Sequence, residues 1–225
     1  MAVRPVFFAT DSGSSFVDVR LVEFEWIPGM AKTQKQKSVD SLHNAIRGLG
    51  EYAVLEISSK SRDQLGIDLS AFNLGFYHQK SGKFITVESA FQGSKVFEHG
   101  GPFPELYSEN ARAAKAFFKD KNMGNLTDFM FFGQSWPIKP FTLFYDWVYL
   151  NSLKKNENLS HAISEYDCFT DIEFNPKLSI NCQAYSAALF VSLSRRGIIV
   201  DILSSREEYI RVVQHQPDWI KKTDY

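Results

Sequence analysis

Short stretches of strand-like and helix-like polarity follow one another along the chain. Val3–Phe8 and Phe16–Trp26 are rich in β-favouring residues, and the polar cluster Asp11–Ser15 between them predicts a hairpin-like pair of strands. Apolar residues at helical spacing predict a helix over Lys32–Gly48. Another strand is predicted at Tyr52–Ser58.

The same patterns continue through the second half of the chain. Helices are predicted at Thr86–Phe97, Ser108–Asp120 (with Asn110 as a cap), Phe141–Leu153 and Ile180–Arg195. Short strands are predicted at Met130–Phe132 and Phe169–Phe174. Because strands and helices mix without regular βαβ alternation, we predict an α+β fold, helix-rich with a small N-terminal and central β-sheet. We expect one compact domain over residues 1–200 and a C-terminal extension over 201–225.

Charge and composition narrow the classes of function. The 225 residues include 25 Lys+Arg and 26 Asp+Glu, with a net charge of −1, and the aromatic residues are 20 Phe, 9 Tyr and 4 Trp. A protein that tracks a long stretch of phosphate backbone needs many more basic than acidic residues. The balance therefore counts against extended nucleic-acid binding but leaves recognition of a single nucleotide open.

Targeting and metal-binding signals are weak. No apolar signal-peptide core follows the N-terminus, and the longest mainly apolar run, Ala184–Leu193, is about half the length of a membrane-spanning helix. Cys168 and Cys182 are too few for a disulfide framework, and the five histidines lack metal-ligand spacing. We expect a cytoplasmic protein without a metal, a cofactor or a membrane partner.

One predicted helix carries the strongest candidate chemistry. At 100° per residue, Glu88, Gln92 and Lys95 share one face of the helix, bordered by Phe91. A carboxylate, an amide and an amine beside an aromatic ring suggest a functional site. The alternative is a solvated charged face with an ordinary helical Glu–Lys pair.

Four other stretches contain candidate binding groups, each with a plainer interpretation. Leu55–Ser61 ends a strand in hydroxyl residues and a lysine, which suits an anion site or a polar turn. Phe169–Asn175 places acids between aromatic residues. Partial burial there could shift the pKa of a carboxyl group, or the alternation could simply be that of an exposed strand. Trp136 could stack on a base or belong to the core. The lysines of Lys32–Lys37 could contact phosphate or simply be solvated.

Several stretches together resemble the NADAR superfamily, the YbiA-like N-glycosidases. Val87–Phe97 is similar to the family's Glu-His-Tyr-Phe-Gln-x-x-Lys-Phe helix, and Leu69–Asn73 to its Phe-Ser-Asn-Phe element. Phe169–Asp171 and Asn181–Ala184 resemble its Trp-Gly-Asp segment and its Asn-Arg-Leu-Gly helix start.

The whole chain resembles more closely the NADAR antitoxins paired with DarT-type DNA ADP-ribosylating toxins. The stretches that carry this second resemblance are Trp26–Gly29, Gln34–Ser38, Leu55–Ser61 and Phe144–Trp147. The chain departs from the superfamily pattern at Ser89 and Ala90, which replace His and Tyr, at Phe169, which replaces Trp, and at an inserted Ala71. These departures affect the expected substrate more than the expected reaction.

The resemblance implies a YbiA-like domain that removes ADP-ribose from guanine in DNA. It implies Glu88, Lys95 and Asp171 as catalytic residues, with Lys95 able to form a Schiff base. The implied substrate-binding residues are Ser58, Ser59, Lys60, Ser70, Phe72, Asn73, Phe91, Gln92, Trp136, Phe169 and Asn181. The expected partners are one ADP-ribosylated guanine and the cognate DarT-type toxin. The alternatives are a non-catalytic ADP-ribose-binding or toxin-masking module, and an N-glycosidase acting on a free ribosylated metabolite.

Overall fold

A computed structural model of the chain describes residues 1–175 and 181–214. Its strands are β1 (Ala2–Ala9), β2 (Val17–Phe24), β3 (Val54–Glu56), β4 (Gly75–Tyr77), β5 (Phe84–Thr86), β6 (Lys95–Phe97), β7 (Leu126–Phe131), β8 (Gln134–Trp136) and β9 (Cys168–Thr170). Its helices are α1 (Lys32–Arg47), α2 (Gln64–Asp68), α3 (Val87–Gly93), α4 (Ala111–Ala116), α5 (Leu143–Lys154), α6 (Glu157–Ile163), α7 (Gln183–Arg195), α8 (Ile199–Ile202) and α9 (Arg206–Val213). The fold is α+β, as predicted.

The residues group into two compact units. The first unit contains Met1–Ser70 and the chain from Glu157 onward, and the second contains Ala71–Asn156. The predicted boundary near residue 200 stays a prediction. None of the described helices is both long enough and apolar enough to cross a membrane.

The first unit is built on a four-stranded sheet of order β2-β1-β9-β3. β1 is antiparallel to β2 along its full length, which confirms the predicted hairpin, while β3 runs parallel to β9. Alternate residues of the hairpin, including Val6, Phe8 and Val22, are buried against Leu42 and Ile46 of α1. The alternating apolar residues of the hairpin form one side of this core, and the apolar residues at helical spacing in α1 form the other.

Helix α7 is buried along most of its length. Every residue from Gln183 to Leu193 is buried. Just after the helix, the Arg196 guanidinium donates hydrogen bonds to the carbonyl groups of Thr10, Gly13 and Ser15 in the β1–β2 turn. The helix thus holds the turn of the hairpin. Its predicted start at Ile180 lies outside the described residues, and so does the predicted tail beyond Gln214.

The second unit has a two-stranded sheet, β4-β5, and a three-stranded sheet, β6-β7-β8. The turn between β7 and β8 has positive φ angles at Phe132 (47°) and Gly133 (81°). This is the backbone of a tight hairpin turn, in which the right-handed strand twist continues. Both sheets flank α3, whose seven residues are all buried.

The predicted helix over Thr86–Phe97 is wrong at its C-terminal end. Helix α3 stops at Gly93, where a Cβ atom would lie 2.5 Å from the Tyr107 ring. Ser94 then donates its hydroxyl to the Ala90 carbonyl, and its own carbonyl accepts the Met130 N–H. Because pairing with β7 replaces the helical hydrogen bonds, Lys95–Phe97 forms strand β6.

Two further element boundaries differ from the prediction. The strand predicted over Phe169–Phe174 ends at Thr170, because the Asp171 carboxylate accepts the N–H groups of Glu173 and Phe174 and so closes a turn. The helix predicted over Ser108–Asp120 is α-helical only over Ala111–Ala116. Asn110 caps it as predicted, by accepting the Ala113 N–H.

Candidate functional site

Helix α3 holds the predicted acid of the second unit. Glu88 is only 6 % exposed, and its Oε1 accepts a hydrogen bond of 2.8 Å from Gln92 Nε2, one turn further along. The Gln92 Oε1 atom is buried and has no hydrogen-bond partner among the described residues. A buried amide oxygen without a partner is unfavourable in the free protein, so this atom is suited to accept a hydrogen bond from a ligand.

Lys95 lies on β6 rather than on the helix, yet its amine stays in the same region as Glu88. Its Nζ is 5.0 Å from the centre of the Phe91 ring and 5.3 Å from that of Phe118. Burial lowers the pKa of Lys95 to about 8, although the Glu88 carboxylate raises it, and Lys115 lowers it further. Lys95 makes no ion pair with any residue in the described ranges. The alternative of a solvated surface Glu–Lys pair is therefore wrong.

Phe91 fixes the position of α3 by aromatic contacts. Its ring centre lies 5.2 Å from that of Phe129 and 5.3 Å from that of Tyr145. These contacts connect the helix to β7 and α5, so the side chains of Glu88 and Gln92 project from a rigid support. Phe91 also offers its face to the Lys95 ammonium, which weakly favours the charged amine against the effect of burial.

The first unit contains a buried carboxylate that sequence reasoning did not single out. Glu56, which is 1 % exposed, accepts three hydrogen bonds, from the Ser58 hydroxyl (2.6 Å), the Thr170 hydroxyl (2.6 Å) and the Ile172 N–H (2.8 Å). Burial raises the pKa of Glu56, and the three hydrogen bonds oppose that shift. The detectable signal was an acid inside the apolar run Val54–Ile57, since an acid is seldom fully buried unless it is paired or hydrogen-bonded.

Asp171, predicted to be catalytic, lies beside this carboxylate. Its Oδ1 closes the turn described above, and its Oδ2 accepts Gln183 Nε2 at 3.0 Å. The same Gln183 nitrogen also donates to the Ile57 carbonyl at 2.6 Å. Burial, reinforced by the Glu56 charge, raises the pKa of Asp171 to about 8. Because both oxygens are engaged in the fold, this geometry favours a positioning role for Asp171.

The network supports the Ser58–Lys60 turn and a small group of charges. Ser58 Oγ accepts the Lys60 N–H, and Lys60 Nζ donates to Ser59 Oγ at 3.1 Å. The Glu173 carboxylate lies 3.9 Å from Lys60 Nζ and 3.4 Å from Lys35 Nζ. Lys35 also lies 4.7 Å from the centre of the Trp26 ring. Two lysines thus converge on one exposed carboxylate. A ligand anion that displaced this carboxylate could bind to both lysines.

A cavity of about 440 Å³ lies against this network within the first unit, and Glu56 is part of its lining. Its lining includes Asp40, His43, Arg62 and Tyr166. His43 Nε2 lies 3.0 Å from Thr170 Oγ1, whose own proton is donated to Glu56. Burial lowers the pKa of His43 to about 4, so its ring is neutral near pH 7. The cavity contains none of the substrate-binding residues that the sequence predicts.

The family to which the chain belongs is shown by its sequence. The family model of the DarT1-associated NADAR antitoxin matches residues 2–222. The chain belongs to this family. The match confirms the resemblance found in the sequence and makes the protein an antitoxin associated with a DarT toxin. The search of curated proteins found no match.

The structure distributes the residues predicted for this NADAR antitoxin over both units. Ser58, Ser59, Lys60, Ser70, Phe169, Asp171 and Asn181 belong to the first unit, and Phe72, Asn73, Glu88, Phe91, Gln92, Lys95 and Trp136 to the second. Within the first unit, Ser70 Oγ reaches Gln183 Oε1 at 3.4 Å. Within the second, the Phe72 ring lies 5.2 Å from Lys115 Nζ, and Asn73 is exposed.

Two aromatic residues of the predicted site are fully buried. Trp136 packs against Phe144 and Trp147, with ring centres 5.6 and 5.1 Å away, and Phe169 lies in the central strand β9. Neither ring has an exposed face on which a base could stack. Burial favours the core interpretation of Trp136, and ligand binding by either residue stays a prediction.

The raised pKa of Asp171 predicts a pH-dependent stability. A carboxyl group whose folded pKa exceeds its unfolded value binds the proton more tightly in the folded state, so its contribution is lost as pH rises from about 4 to about 8. The free energy of unfolding, measured by denaturant titration across this range, should fall with pH by at most about 1.4 kcal/mol per pH unit from this group.

Asp171→Asn should flatten this dependence. Asp40→Asn is the matched control, because Arg62 holds the pKa of Asp40 below its usual range, so Asp40 does not contribute to this dependence. If Asp171→Asn kept the full wild-type slope, titration of Asp171 in this range would be contradicted.

Proposed function

We propose that this antitoxin is an ADP-ribosyl N-glycosidase that removes ADP-ribose from guanine bases in DNA. The observation that carries the proposal is the buried Glu88–Gln92 pair beside the desolvated amine of Lys95, in a chain that belongs to the NADAR antitoxins over nearly its whole length. Reversal of the modification would counteract a DNA ADP-ribosylating toxin without the need to bind the toxin itself.

The Glu88 carboxylate has the charge that the reaction needs. When the bond from ribose to the guanine nitrogen breaks, its electron pair leaves with the base and positive charge develops at the anomeric carbon. A fixed carboxylate in a site with little water stabilises that charge more strongly than one in bulk solvent. Gln92 orients Glu88, and its second amide atom, Oε1, is suited to accept a hydrogen bond from a ribose hydroxyl.

Lys95 supplies a nucleophile in this proposal. With a pKa near 8, about a tenth of its amine is unprotonated at pH 7, far more than for a free lysine. The neutral amine forms a bond to the anomeric carbon as the bond from that carbon to the guanine nitrogen breaks, and guanine leaves with the electron pair and one proton of the amine. The bond from the anomeric carbon to the ring oxygen then opens, the ring oxygen takes the second amine proton, and a lysine imine is left. Water then adds to the imine and releases ADP-ribose and the free amine, so the lysine is regenerated.

The Ser58–Lys60 turn of the first unit is suited to the diphosphate of ADP-ribose. Lys60 is a point charge of the kind that binds phosphate, and Lys35 adds a second. Both lie within 4 Å of the Glu173 carboxylate, which offsets one of the two positive charges. We assign Ser59, Ser70, Asn73 and Asn181 as further polar contacts to the ligand, and give Asp171 a positioning role in place of the acid role that the resemblance implies.

The proposal is tested by incubating the protein with DNA that carries ADP-ribosylated guanine and measuring released ADP-ribose. Glu88→Gln and Lys95→Ala should each lower turnover by about a hundredfold or more, the usual effect of losing an acid–base or nucleophilic group. Lys37→Ala, at an exposed lysine, is the control and should leave turnover unchanged.

The same assay distinguishes the alternatives. Turnover of a free ribosylated metabolite, without turnover of modified DNA, would support a metabolite N-glycosidase. Tight binding of ADP-ribose without turnover of either substrate would support a binding module and overturn the enzymatic proposal.

The amine of Lys95 predicts the pH dependence of the reaction. Below about pH 8, kcat/KM should rise about tenfold per pH unit as the amine loses its proton, and it should level off above that pH. Lys115→Ala should move the midpoint to higher pH, because the Lys115 charge lowers the pKa of Lys95. Borohydride added during turnover should trap substrate on Lys95, and a fully active enzyme that gives no adduct would exclude the imine.

The assignment of Lys60 is tested by calorimetry with ADP-ribose. Lys60→Met should weaken binding about tenfold or more, as expected for the loss of a hydrogen bond to a charged group. Glu173→Gln should strengthen binding, because it removes the competing carboxylate. Lys37→Met is the matched control, and equal affinities for Lys60→Met and the wild-type protein would refute the assignment.

A further inference from the structure

The second unit exposes aromatic rings that the proposed reaction does not use. Tyr77 and Phe84 lie directly opposite each other in the β4-β5 hairpin, with ring centres 5.1 Å apart, and they are 70 % and 45 % exposed. Phe132, 48 % exposed in the β7–β8 turn, stacks on His78 with ring centres 4.9 Å apart and an interplanar angle of 6°. Paired rings exposed to water mark an interaction surface more often than scattered apolar residues do.

The two segments that carry these rings contain basic but no acidic residues. These segments, Ala71–Val87 and Phe129–Tyr145, contain three lysines and no acidic residue. Lys80 and Lys83 both lie in the turn between β4 and β5, and Lys155 Nζ lies 5.0 Å from the centre of the Phe76 ring, which contacts Phe132.

The surrounding unit shares this positive balance. Between Ala71 and Asn156, ten lysine and arginine residues stand against seven acidic residues, although the whole chain carries a charge of −1. We define the hairpin surface as Tyr77, His78, Lys80, Lys83, Phe84 and Phe132.

We propose that the hairpin surface binds single-stranded DNA, namely the nucleotides that flank the modified guanine. This inference rests on the proposed function for its choice of DNA. Proteins that hold single strands combine aromatic rings, on which bases stack, with lysines that follow the backbone. The hairpin surface has both within two short β-hairpins, and its lack of acidic residues suits a polyanion. Its small extent agrees with a protein that binds a few nucleotides rather than a long duplex.

The test is the fluorescence anisotropy of a labelled, unmodified single-stranded oligonucleotide of about twelve nucleotides, a length that covers a typical small site. The double variant Tyr77→Ala/Phe84→Ala should weaken binding about tenfold or more, as the loss of stacked bases does. Lys80→Ala/Lys83→Ala should reduce the slope of log K against log salt by about 1.4, the value for two phosphate contacts on a single strand.

Two controls separate stacking from general damage. Tyr77→Phe keeps the ring and should bind like the wild-type protein. Phe141→Ala removes a comparably exposed ring (42 %) outside the hairpin surface and should also leave binding unchanged. Equal weakening by Phe141→Ala, or wild-type affinity of the Tyr77→Ala/Phe84→Ala variant, would overturn the inference.

A second readout keeps this inference apart from the proposed reaction. If both hold, the hairpin variants should raise KM for modified DNA but keep wild-type turnover of an ADP-ribosylated guanosine nucleoside. Because anisotropy uses unmodified DNA, it tests the surface even if the protein proves inactive. Hairpin variants that bind DNA normally but lose binding to the DarT toxin would show a protein-docking surface and contradict the proposal.

Discussion

A negative charge held inside the first unit constrains much of its structure. Burying a carboxylate is costly unless hydrogen bonds replace its water, and Glu56 accepts three of them, from two hydroxyl groups and one main-chain N–H. The donors come from the turn after β3 and from β9 with the turn that follows it. Removal of the Glu56 carboxylate would leave three donors unsatisfied. The Ser58–Lys60 turn and the Asp171–Phe174 turn are therefore both held by hydrogen bonds to this carboxylate. The proposed diphosphate contact depends on that constraint.

In the second unit, burial and a neighbouring charge have opposite effects on the pKa of one amine, that of Lys95. Burial by itself favours a neutral Lys95, whereas the Glu88 carboxylate favours the ammonium. Without burial, too little free amine would exist near neutral pH. Without Glu88, the anomeric cation would lack its counter-charge. The pair therefore meets both demands because burial outweighs the attraction, while the Gln92 hydrogen bond holds the carboxylate in place.

How far the sequence predicts this arrangement depends on how local each cause is. The β1–β2 hairpin and α1 follow from alternation, helical spacing and a polar turn, all within a few residues, and both were predicted. The end of α3 was not, because the strand at Lys95 is created by β7, over thirty residues later. The role of Glu56 was likewise hidden, since its partner Thr170 is 114 residues away. Helical spacing and family resemblance both grouped Glu88, Gln92 and Lys95, although helical spacing placed Lys95 on the wrong element.

Net charge, like secondary structure, is informative only when it is considered locally along the chain. A value of −1 for the whole chain argues against nucleic-acid binding only if charge is spread evenly, and it is not. The segments Ala71–Val87 and Phe129–Tyr145 carry lysines without acids, so their own charge is positive although that of the whole chain is −1. Attraction to a phosphate decays within about 10 Å at ordinary ionic strength, so the local surface and not the total charge decides whether a short strand binds. The proposed enzyme acts on one base and needs only such a local surface, while a near-neutral total charge would limit its binding to unmodified DNA elsewhere.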